Sequence, residues 1–418
     1  MAHLLVVESW VGSMGRLLPR AIREGGHEFT FLTRDLHHYL RSAPEGAAHP
    51  LLGARNVITA DTNDTEALLT HVERLHAVWG FDGVLSSCDY YLPTVARIAE
   101  RLGLPGPGPE AVESACRKDL SRRVLADAGL PGPRFAAHGD WAELARAARE
   151  IGYPLVVKPV DLCAGMYVRR VEDESELAAA VRKLNDFPVN ARGQRRVPTV
   201  LLEELLDGPE VSVETVSSAG AVQVVGVTDK SIGGAPAFVE TGHMFPAALS
   251  PADTEAAERT ALSALKALGL TDGVVAHTEI KLTSAGPCVV EVNPRPAGNR
   301  ITELVRHVTG IDLAAVFVDV ALGRAPDLRR TRTGLRSAAV GFLVPHTTGT
   351  LDALEAGQLS HESDVLEVQL AEPGRLVDAA DSNNAYLGHV MVGDAQGLGS
   401  RDRVAALLAD LHAGLVII

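Results

Sequence analysis

The sequence predicts a multidomain protein of mixed α/β and α+β class, and three observations support this fold class. The chain has 418 residues, more than one domain usually holds. Its first hundred residues alternate apolar strands with helices, the pattern of a doubly wound parallel sheet that is covered on both faces. Hydrophobic residues form 46% of the chain and aromatic residues 4%, so we expect sizeable cores that are mainly aliphatic.

The N-terminal elements follow one another in regular order. The predicted strands are His3–Val7, Glu28–Leu32 and Gly83–Ser87, and the predicted helices end at Arg23, begin at Asp64 and span Leu92–Leu102. The stretch Gly12-Ser13-Met14-Gly15 follows the first strand, where a glycine-rich turn can hold a phosphate. It lacks the full dinucleotide-binding spacing, so we interpret it as a tight turn.

The sequence GLPGP occurs at residues 103–107 and again at residues 129–133, and both copies predict chain breaks. The first copy, extended by Gly108-Pro109, marks the expected domain boundary. Between the copies we predict one helix, Ala111–Ala128, which carries Lys118. A helix at Trp141–Ile151 with Asp140 as its N-cap and a strand at Pro154–Val160 follow.

Lys158 lies inside the apolar strand PLVVKPV. Burying an ammonium group is costly unless it meets an anion, and phosphate oxygens would be such a partner. The alternative is an edge-strand lysine that guards against aggregation. The next residues, Asp161–Tyr167, form a predicted loop with one glycine, and residues 185–198 look like a mobile connection.

Residues 274–300 contain the strongest candidate site. They read as two strands joined by turn residues at 283–287, and a hairpin symmetric about Ala285 places Glu279 opposite Glu291. Cross-strand Cβ atoms lie ~5 Å apart, so the two carboxylates repel unless a cation lies between them. Glu279, Glu291 and the Asn293 amide are hard oxygen ligands, which suit Mg²⁺ or Mn²⁺.

The alternative for this hairpin is a solvated polar face with Lys281 neutralising one glutamate. The arginine of Asn293-Pro294-Arg295 argues against it, because a guanidinium beside a metal pair suits phosphate oxygens. By the same alternation Val290 and Val292 are expected to point away from the site.

The run E-I-K…V-E-V-N-P-R resembles the metal-binding motif of ATP-grasp enzymes, in particular the carboxylate–amine ligases that include L-amino acid (dipeptide) ligases. The resemblance covers nearly the whole chain. It implies an N-terminal pre-ATP-grasp domain at 1–108, an ATP-grasp domain at 109–325 with a lid subdomain at about 134–200, and a small α+β C-terminal domain at 326–418. We expect this last domain to close one side of the active site.

The resemblance also implies roles for individual residues. Glu240 and His243 match a Glu-x-x-His motif near the amino-acid substrate, although His243 is equally well explained as a structural histidine. Without the resemblance, nothing would distinguish Glu203, Glu204 and Glu210 from ordinary glutamates on a strand, or Leu206 from an ordinary leucine. The implied sets are metal ligands Glu279, Glu291 and Asn293; ATP contacts Lys118, Lys158, Gly165, Glu203, Glu204, Leu206 and Glu210; substrate contacts Glu240, His243, Arg295 and Gly298; and catalytic groups Arg295 and Lys158.

Charge and cysteine usage limit the partners. The net charge of −14 argues against nucleic acid or an anionic membrane. The four scattered cysteines indicate reduced thiols in a cytoplasmic protein, and we predict neither a signal peptide nor a membrane span. The expected ligands are ATP, Mg²⁺ (or Mn²⁺), a small-molecule carboxylate and an amine, with a homodimer as one alternative for the oligomeric state.

The predicted activity is ATP-dependent ligation of a carboxylate to an amine through an acyl phosphate, giving ADP and phosphate. Two alternatives stay open at this point. One is formyl or carboxyl transfer on the same fold, and the other is a nucleotide-binding regulator without catalysis. The glycine-poor loop at 161–167 favours the regulator, whereas the set Glu279, Glu291, Asn293 and Arg295 favours an enzyme.

Overall fold

The computed structural model describes residues 1–42, 48–233 and 236–418. Its first sheet is parallel, as predicted, with strand order β3-β2-β1-β4. These elements are β1 (His3–Val7), α1 (Ser13–Glu24), β2 (Glu28–Thr33), α2 (Leu36–Arg41), β3 (Asn56–Thr59), α3 (Thr65–Trp79), β4 (Gly83–Leu85) and α4 (Leu92–Leu102).

Both faces of this sheet are covered. Leu4 and Val6 pack into one apolar cluster with α1, whereas Leu5 and Val7 pack into a second cluster with α3 and α4. The strand order reverses between β1 and β4. In open α/β sheets, ligands bind beyond the carboxyl ends of the strands at such a point.

The single helix predicted for Ala111–Ala128 is wrong. The structure has two helices, α5 (Pro109–Cys116) and α6 (Lys118–Asp127), with Arg117 between them in an extended conformation (φ −98°, ψ 107°). The guanidinium of Arg117 donates to the Asp119 carboxylate at 3.0 and 3.1 Å. The backbone N–H of Lys118 donates to the carbonyl of Val160 at 3.0 Å, so this break connects the start of α6 to the strand that carries Lys158.

A four-stranded antiparallel sheet with order β5-β8-β6-β7 comes next. Asp140 caps α7 by accepting from the N–H groups of Ala142 and Glu143, as predicted. Both helices of this unit pack on the sheet through one apolar cluster. The elements are β5 (Phe135–His138), α7 (Trp141–Ile151), β6 (Leu155–Pro159), β7 (Arg169–Val171), α8 (Glu174–Asn185) and β8 (Val200–Glu204).

The segment at 185–198 differs from the mobile connection that its composition predicts. Arg192 is buried, and its guanidinium donates to the Ser9 carbonyl at 2.5 Å. The same group lies over the rings of Trp10 and Tyr39 at 5.3 and 5.7 Å. The segment is therefore attached to the N-terminal domain, because the buried Arg192 side chain contacts a backbone carbonyl and two aromatic rings there.

The largest sheet is antiparallel, with strand order β13-β12-β9-β10-β11-β14-β18-β16. Its strands are β9 (Glu210–Ser218), β10 (Ala221–Ile232), β11 (Glu240–Phe245), β12 (Val274–Thr283), β13 (Gly286–Asn293), β14 (Ser337–Leu343), β16 (Val365–Leu370) and β18 (Gly388–Asp394). The helices after its strands are α9 (Pro251–Leu268), α10 (Ile301–Thr309) and α11 (Leu313–Ala321).

The C-terminal residues extend this sheet, because β14 pairs directly with β11. A small sheet with order β17-β15-β19 and a final helix pack beside it through another apolar cluster. These elements are β15 (Gly349–Ala353), β17 (Leu376–Val377), α12 (Ser400–Ala413) and β19 (Val416–Ile417). Among the described helices, none is both long and apolar enough to cross a bilayer.

Candidate active site

A cavity of about 670 Å³ lies where three parts of the chain meet. These parts are the antiparallel sheet β5-β8-β6-β7 (the lid sheet), the large sheet and the N-terminal domain. Within the described part of the chain, thirteen of the fourteen predicted site residues line it, and His243 does not. The lining members of that set are Lys118, Lys158, Gly165, Glu203, Glu204, Leu206, Glu210, Glu240, Glu279, Glu291, Asn293, Arg295 and Gly298.

The β12–β13 hairpin pairs Glu279 with Glu291, as the symmetry argument predicted, but it does so by way of a β-bulge. Near the turn Thr283 pairs with Gly286 and Ile280 with Val289, a register that would place Glu279 opposite Val290 if it continued. The bulge leaves Val290 as an extra residue and restores the predicted pairing beyond it. The turn is shorter than predicted, because Thr283 and Gly286 already belong to the strands.

The bulge corrects one further expectation. Val290 lines the cavity instead of pointing away, and its carbonyl accepts a hydrogen bond from Arg122 at 2.8 Å. A bulge changes the face on which the following residues lie, which strict alternation cannot predict.

Each of the two facing carboxylates contacts a lysine. The ammonium of Lys118 lies 3.0 Å from Glu291, and that of Lys230 lies 2.8 Å from Glu279. Burial lowers the pKa of Lys118, but the Glu291 carboxylate outweighs it and the net shift is upward. In this structure a separate ammonium group therefore supplies positive charge to each carboxylate, and the metal between them stays a prediction.

Lys230 is a central residue that the sequence reasoning missed. Its side chain is 1% exposed and its ammonium lies 2.8, 2.9 and 3.5 Å from Glu279, Glu240 and Glu210. Burial lowers its pKa, but the three carboxylates overcome this and hold the pKa well above its ordinary value. The immediate sequence neighbours of Lys230 (Thr228, Asp229 and Ser231) are polar, so the apolar-strand signal that drew attention to Lys158 is missing here.

Lys158 does have the anionic partner that its burial requires, but in this structure the partner is a protein carboxylate. Its ammonium lies 2.5 Å from Glu203, which also accepts from the buried guanidinium of Arg122. Burial raises the pKa of Glu203, and Arg122 and Lys158 overcome this to lower it to about 2. Arg122 further donates to the Val289 carbonyl at 2.5 Å, which connects the lid sheet to the hairpin. The resemblance did not anticipate that the Glu203 carboxylate is held in this ion-pair triad.

The substrate contact predicted for His243 is not supported. Its side chain is 0% exposed, its Nε2 lies 3.2 Å from Glu240, and its ring packs edge-on against Phe342. His243 therefore lies behind Glu240 and Phe342, which line the cavity, and this is the position of a structural histidine.

The C-terminal residues contribute to the cavity wall beside Glu240. Asn383 accepts a hydrogen bond from the Glu240 N–H at 2.9 Å, and the Tyr386 hydroxyl donates to the Glu240 carbonyl at 2.9 Å. The Asn299 amide donates to the Glu240 carboxylate. Sequence reasoning expected this part of the chain to close one side of the site, and it does, with polar groups that were not foreseen.

The glycine-poor loop after β6 is compact. Ala164, Gly165 and Tyr167 all have positive φ values of 57°, 67° and 59°. The Ala164 carbonyl accepts from the Asn383 N–H at 3.1 Å, so the C-terminal residues hold this loop over the cavity. Cys163 and Gly165 line the cavity.

Arg295 is oriented by the N-terminal domain. Its Nε donates to Asp89 Oδ1 at 2.7 Å and its Nη1 donates to the Pro296 carbonyl at 2.9 Å. Burial lowers the pKa of Arg295, but Asp89 and its hydrogen bond outweigh this and raise the pKa. Asp89 lies 206 residues away in the chain, so no local pattern could have identified it.

The residues predicted to hold a metal offer two carboxylates and one amide. Among the described residues, no group of three or more His, Cys, Asp or Glu side chains is arranged to hold an ion. The donor set nevertheless fits Mg²⁺, which prefers one or two carboxylates and takes its other oxygens from phosphates and water.

Comparisons with known proteins agree with this architecture. The ATP-grasp domain family matches residues 151–303, the ATP-grasp N-terminal domain family matches 20–106, and the L-amino acid ligase C-terminal domain 2 family matches 341–416. The solved L-amino acid ligase from Bacillus licheniformis has a TM-score of 0.81 and 25% identity, covering 100% of this chain and 98% of that one.

Curated relatives differ in how much of their length is matched. The Sinorhizobium fredii protein y4rH is 32% identical over 337 residues, 80% of this chain and 68% of that protein. Carnosine synthase 1 of Homo sapiens is 30% identical over 70% of this chain but only 37% of its own length, and alanine–anticapsin ligase of Bacillus subtilis is 27% identical over 63% and 59%. These matches confirm the resemblance that the hairpin motif indicated. The chain belongs to the ATP-grasp carboxylate–amine ligases, in the branch that carries the C-terminal domain of L-amino acid ligases.

Proposed function

We propose that the protein joins a small carboxylic acid, such as an amino acid, to an amine at the expense of ATP. The observation that carries this proposal is the convergence of Glu279, Glu291, Lys118 and Arg295 on one cavity, where Glu279 and Glu291 face each other across the hairpin. Such a site can bind the polyphosphate of ATP beside a reacting carboxylate.

ATP would bind between the lid sheet and the large sheet. Lys118 and Lys158 supply ammonium groups for its phosphate oxygens, and both line the cavity although they are largely buried. Leu206 and the backbone near Glu203 and Glu204 would hold the adenine, and Glu210 the ribose. Gly165 would bring the loop backbone close to the phosphates.

Glu279, Glu291 and Asn293 would hold Mg²⁺ (or Mn²⁺), which when bound supplies positive charge against the terminal phosphates. In the present structure Lys118 and Lys230 neutralise the same carboxylates. These contacts hold both carboxylates at the cavity wall, where a metal ion would meet them.

The reaction would proceed in two displacements. A carboxylate oxygen of the acid attacks the γ-phosphorus and ADP leaves, which forms an acyl phosphate. The neutral amine then attacks the acyl carbon, phosphate leaves, and the nitrogen loses a proton as the amide forms. Arg295, with N–H donors that its protein contacts leave available, would stabilise the tetrahedral oxyanion and the departing phosphate.

The substrates are small molecules that fit the part of the cavity beside Glu240, Asn299 and Tyr386. The Glu240 carboxylate faces this region and suits the ammonium group of an amino acid. The experiment that tests the proposal is ADP release from Mg·ATP in the presence of pairs of amino acids and small carboxylates. Release that requires both an acid and an amine supports it, whereas substrate-independent hydrolysis or no release with any pair contradicts it.

A further inference from the structure

The N-terminal domain meets the cavity at the point where its strand order reverses. Trp10 follows β1 and Asp89 follows β4, and β1 and β4 are the neighbours on either side of this reversal. Both residues line the cavity, so the carboxyl edge of the parallel sheet faces the reaction site.

Asp89 receives one hydrogen bond on each carboxylate oxygen. Arg295 Nε donates to Oδ1 at 2.7 Å, and the indole N–H of Trp10 donates to Oδ2 at 2.8 Å. The side chains of Asp89 and Arg295 are 13% and 15% exposed, so solvent screens this pair weakly. Two directional bonds from different elements fix the plane of the carboxylate, and through it the plane of the guanidinium.

Two further contacts position Trp10. The Arg192 guanidinium lies 5.3 Å from its ring, and the Trp10 backbone N–H donates to the Ser87 hydroxyl at 3.1 Å. Arg192 belongs to the segment between α8 and β8. The chain of contacts Arg192–Trp10–Asp89–Arg295 therefore runs from the lid subdomain through the N-terminal domain to the proposed oxyanion-binding group.

We propose that Asp89 is the positioning residue for Arg295, by which the N-terminal domain takes part in the chemistry as well as in forming the cavity. This inference rests on the proposed function, because it assigns Asp89 no contact with substrate and lets it act only through the Arg295 guanidinium. Without the carboxylate, the guanidinium keeps its bond to the Pro296 carbonyl but loses the contact that fixes Nε.

The direct test is Asp89→Asn, which keeps the shape of the side chain and removes its charge. A misplacement of a catalytic group by about 1 Å costs on the order of 100-fold in rate, so we expect kcat to fall by about 10- to 100-fold. KM for ATP should stay near the wild-type value, because the hydrogen bonds of Asp89 go to Arg295 and Trp10 and to none of the residues assigned to ATP. An unchanged kcat overturns the inference, and so does a fall in kcat that is matched by an equal loss of ATP binding.

Trp10→Phe is the second variant. It retains the ring under Arg192 but removes the N–H that holds Oδ2, while Asp89 keeps its bond to Arg295. The expected loss in kcat is smaller than for Asp89→Asn, and a larger loss would contradict the assignment. Glu113→Gln is the matched control, since it removes the charge from the exposed Arg97–Glu113 pair (2.6 Å), which joins α4 of the N-terminal domain to α5, and it should leave kcat unchanged.

A double-mutant cycle separates positioning from an independent role. In the Arg295→Met background, Asp89→Asn should not lower the residual rate further, because the group that it positions is gone. Additive losses would overturn the inference. All these comparisons need an active wild-type enzyme, so failure of the proposed function would already appear as a wild type that releases no ADP.

Discussion

Lys158→Met tests the ion-pair triad of Lys158, Glu203 and Arg122. From the sequence, an unpaired buried lysine would be expected to cost stability, and its replacement by Met would be neutral or stabilising. The structure reverses this expectation, because the Lys158 ammonium lies 2.5 Å from Glu203 and the two side chains are 11% and 4% exposed. Met keeps the aliphatic stem but leaves Glu203 with Arg122 as its remaining cation.

The magnitude follows from the contact that is lost. A hydrogen bond to a charged group contributes about 1.5–3 kcal/mol, and Arg122 still compensates part of the Glu203 charge. We therefore expect the lid sheet to lose about 2 kcal/mol, which corresponds to a roughly 30-fold larger population of the locally open state. Hydrogen exchange of the paired strands β6 and β8, measured without nucleotide, reports this opening directly.

The loss of lid-sheet stability in Lys158→Met should depend on pH in a defined direction. The folded pKa of Glu203 is about 2, below its ordinary value of 4.5, so the stability from its ionisation is present above pH 4.5 and is lost as the pH falls toward 2. The difference between Lys158→Met and wild type should therefore shrink over this range.

Lys183→Met is the control for this experiment. It removes a pair with Asp381 whose side chains are 51% and 54% exposed, and it should change stability by less than about 0.5 kcal/mol. Hydrogen exchange in Lys158→Met that is equal to or slower than in wild type would show that the Lys158–Glu203 pair does not stabilise the lid sheet. A stability difference that does not change with pH would show the same for the ionised Glu203 carboxylate.

Two further predictions concern the hairpin and the segment between α8 and β8. Glu291→Gln should lower ADP production by about 100-fold at saturating Mg²⁺ while the fold is retained, since the neutral amide can still accept from Lys118; near-normal turnover would remove Glu291 from the metal set. Arg192→Met should increase proteolytic cleavage within residues 186–198, because the buried contact with Ser9 and the stacking on Trp10 are lost; an unchanged cleavage rate would show that these contacts do not fasten the segment.

Local signals predicted much of the fold. The bounds of β1, α4 and α7 agree with the sequence analysis because turn and capping residues mark their ends clearly. The Glu279–Glu291 pairing was also predicted, but it forms by way of the bulge at Val290, which strict alternation does not predict. The metal, ATP and substrate roles of the fourteen predicted site residues stay predictions.

What was missed depends on tertiary contacts. No glycine or proline marks the helix break at Arg117 in the sequence. The break lies where the Lys118 N–H donates a hydrogen bond to the Val160 carbonyl. The Lys230 ammonium contacts Glu210 and Glu240 only because β10 lies between β9 and β11 in the folded sheet. Asp89 meets Arg295 only after the N-terminal domain has docked, and nothing in the neighbourhood of either residue indicates the other.

In the proposed reaction the chain activates a carboxylate by phosphorylation. The most direct measurement uses the acid substrate labelled with ¹⁸O in its carboxylate, together with ATP, Mg²⁺ and the amine. We expect ADP and phosphate as products, with one labelled oxygen in the released phosphate, because the acyl phosphate is cleaved at its acyl carbon. Unlabelled phosphate, or AMP and pyrophosphate as products, would contradict it.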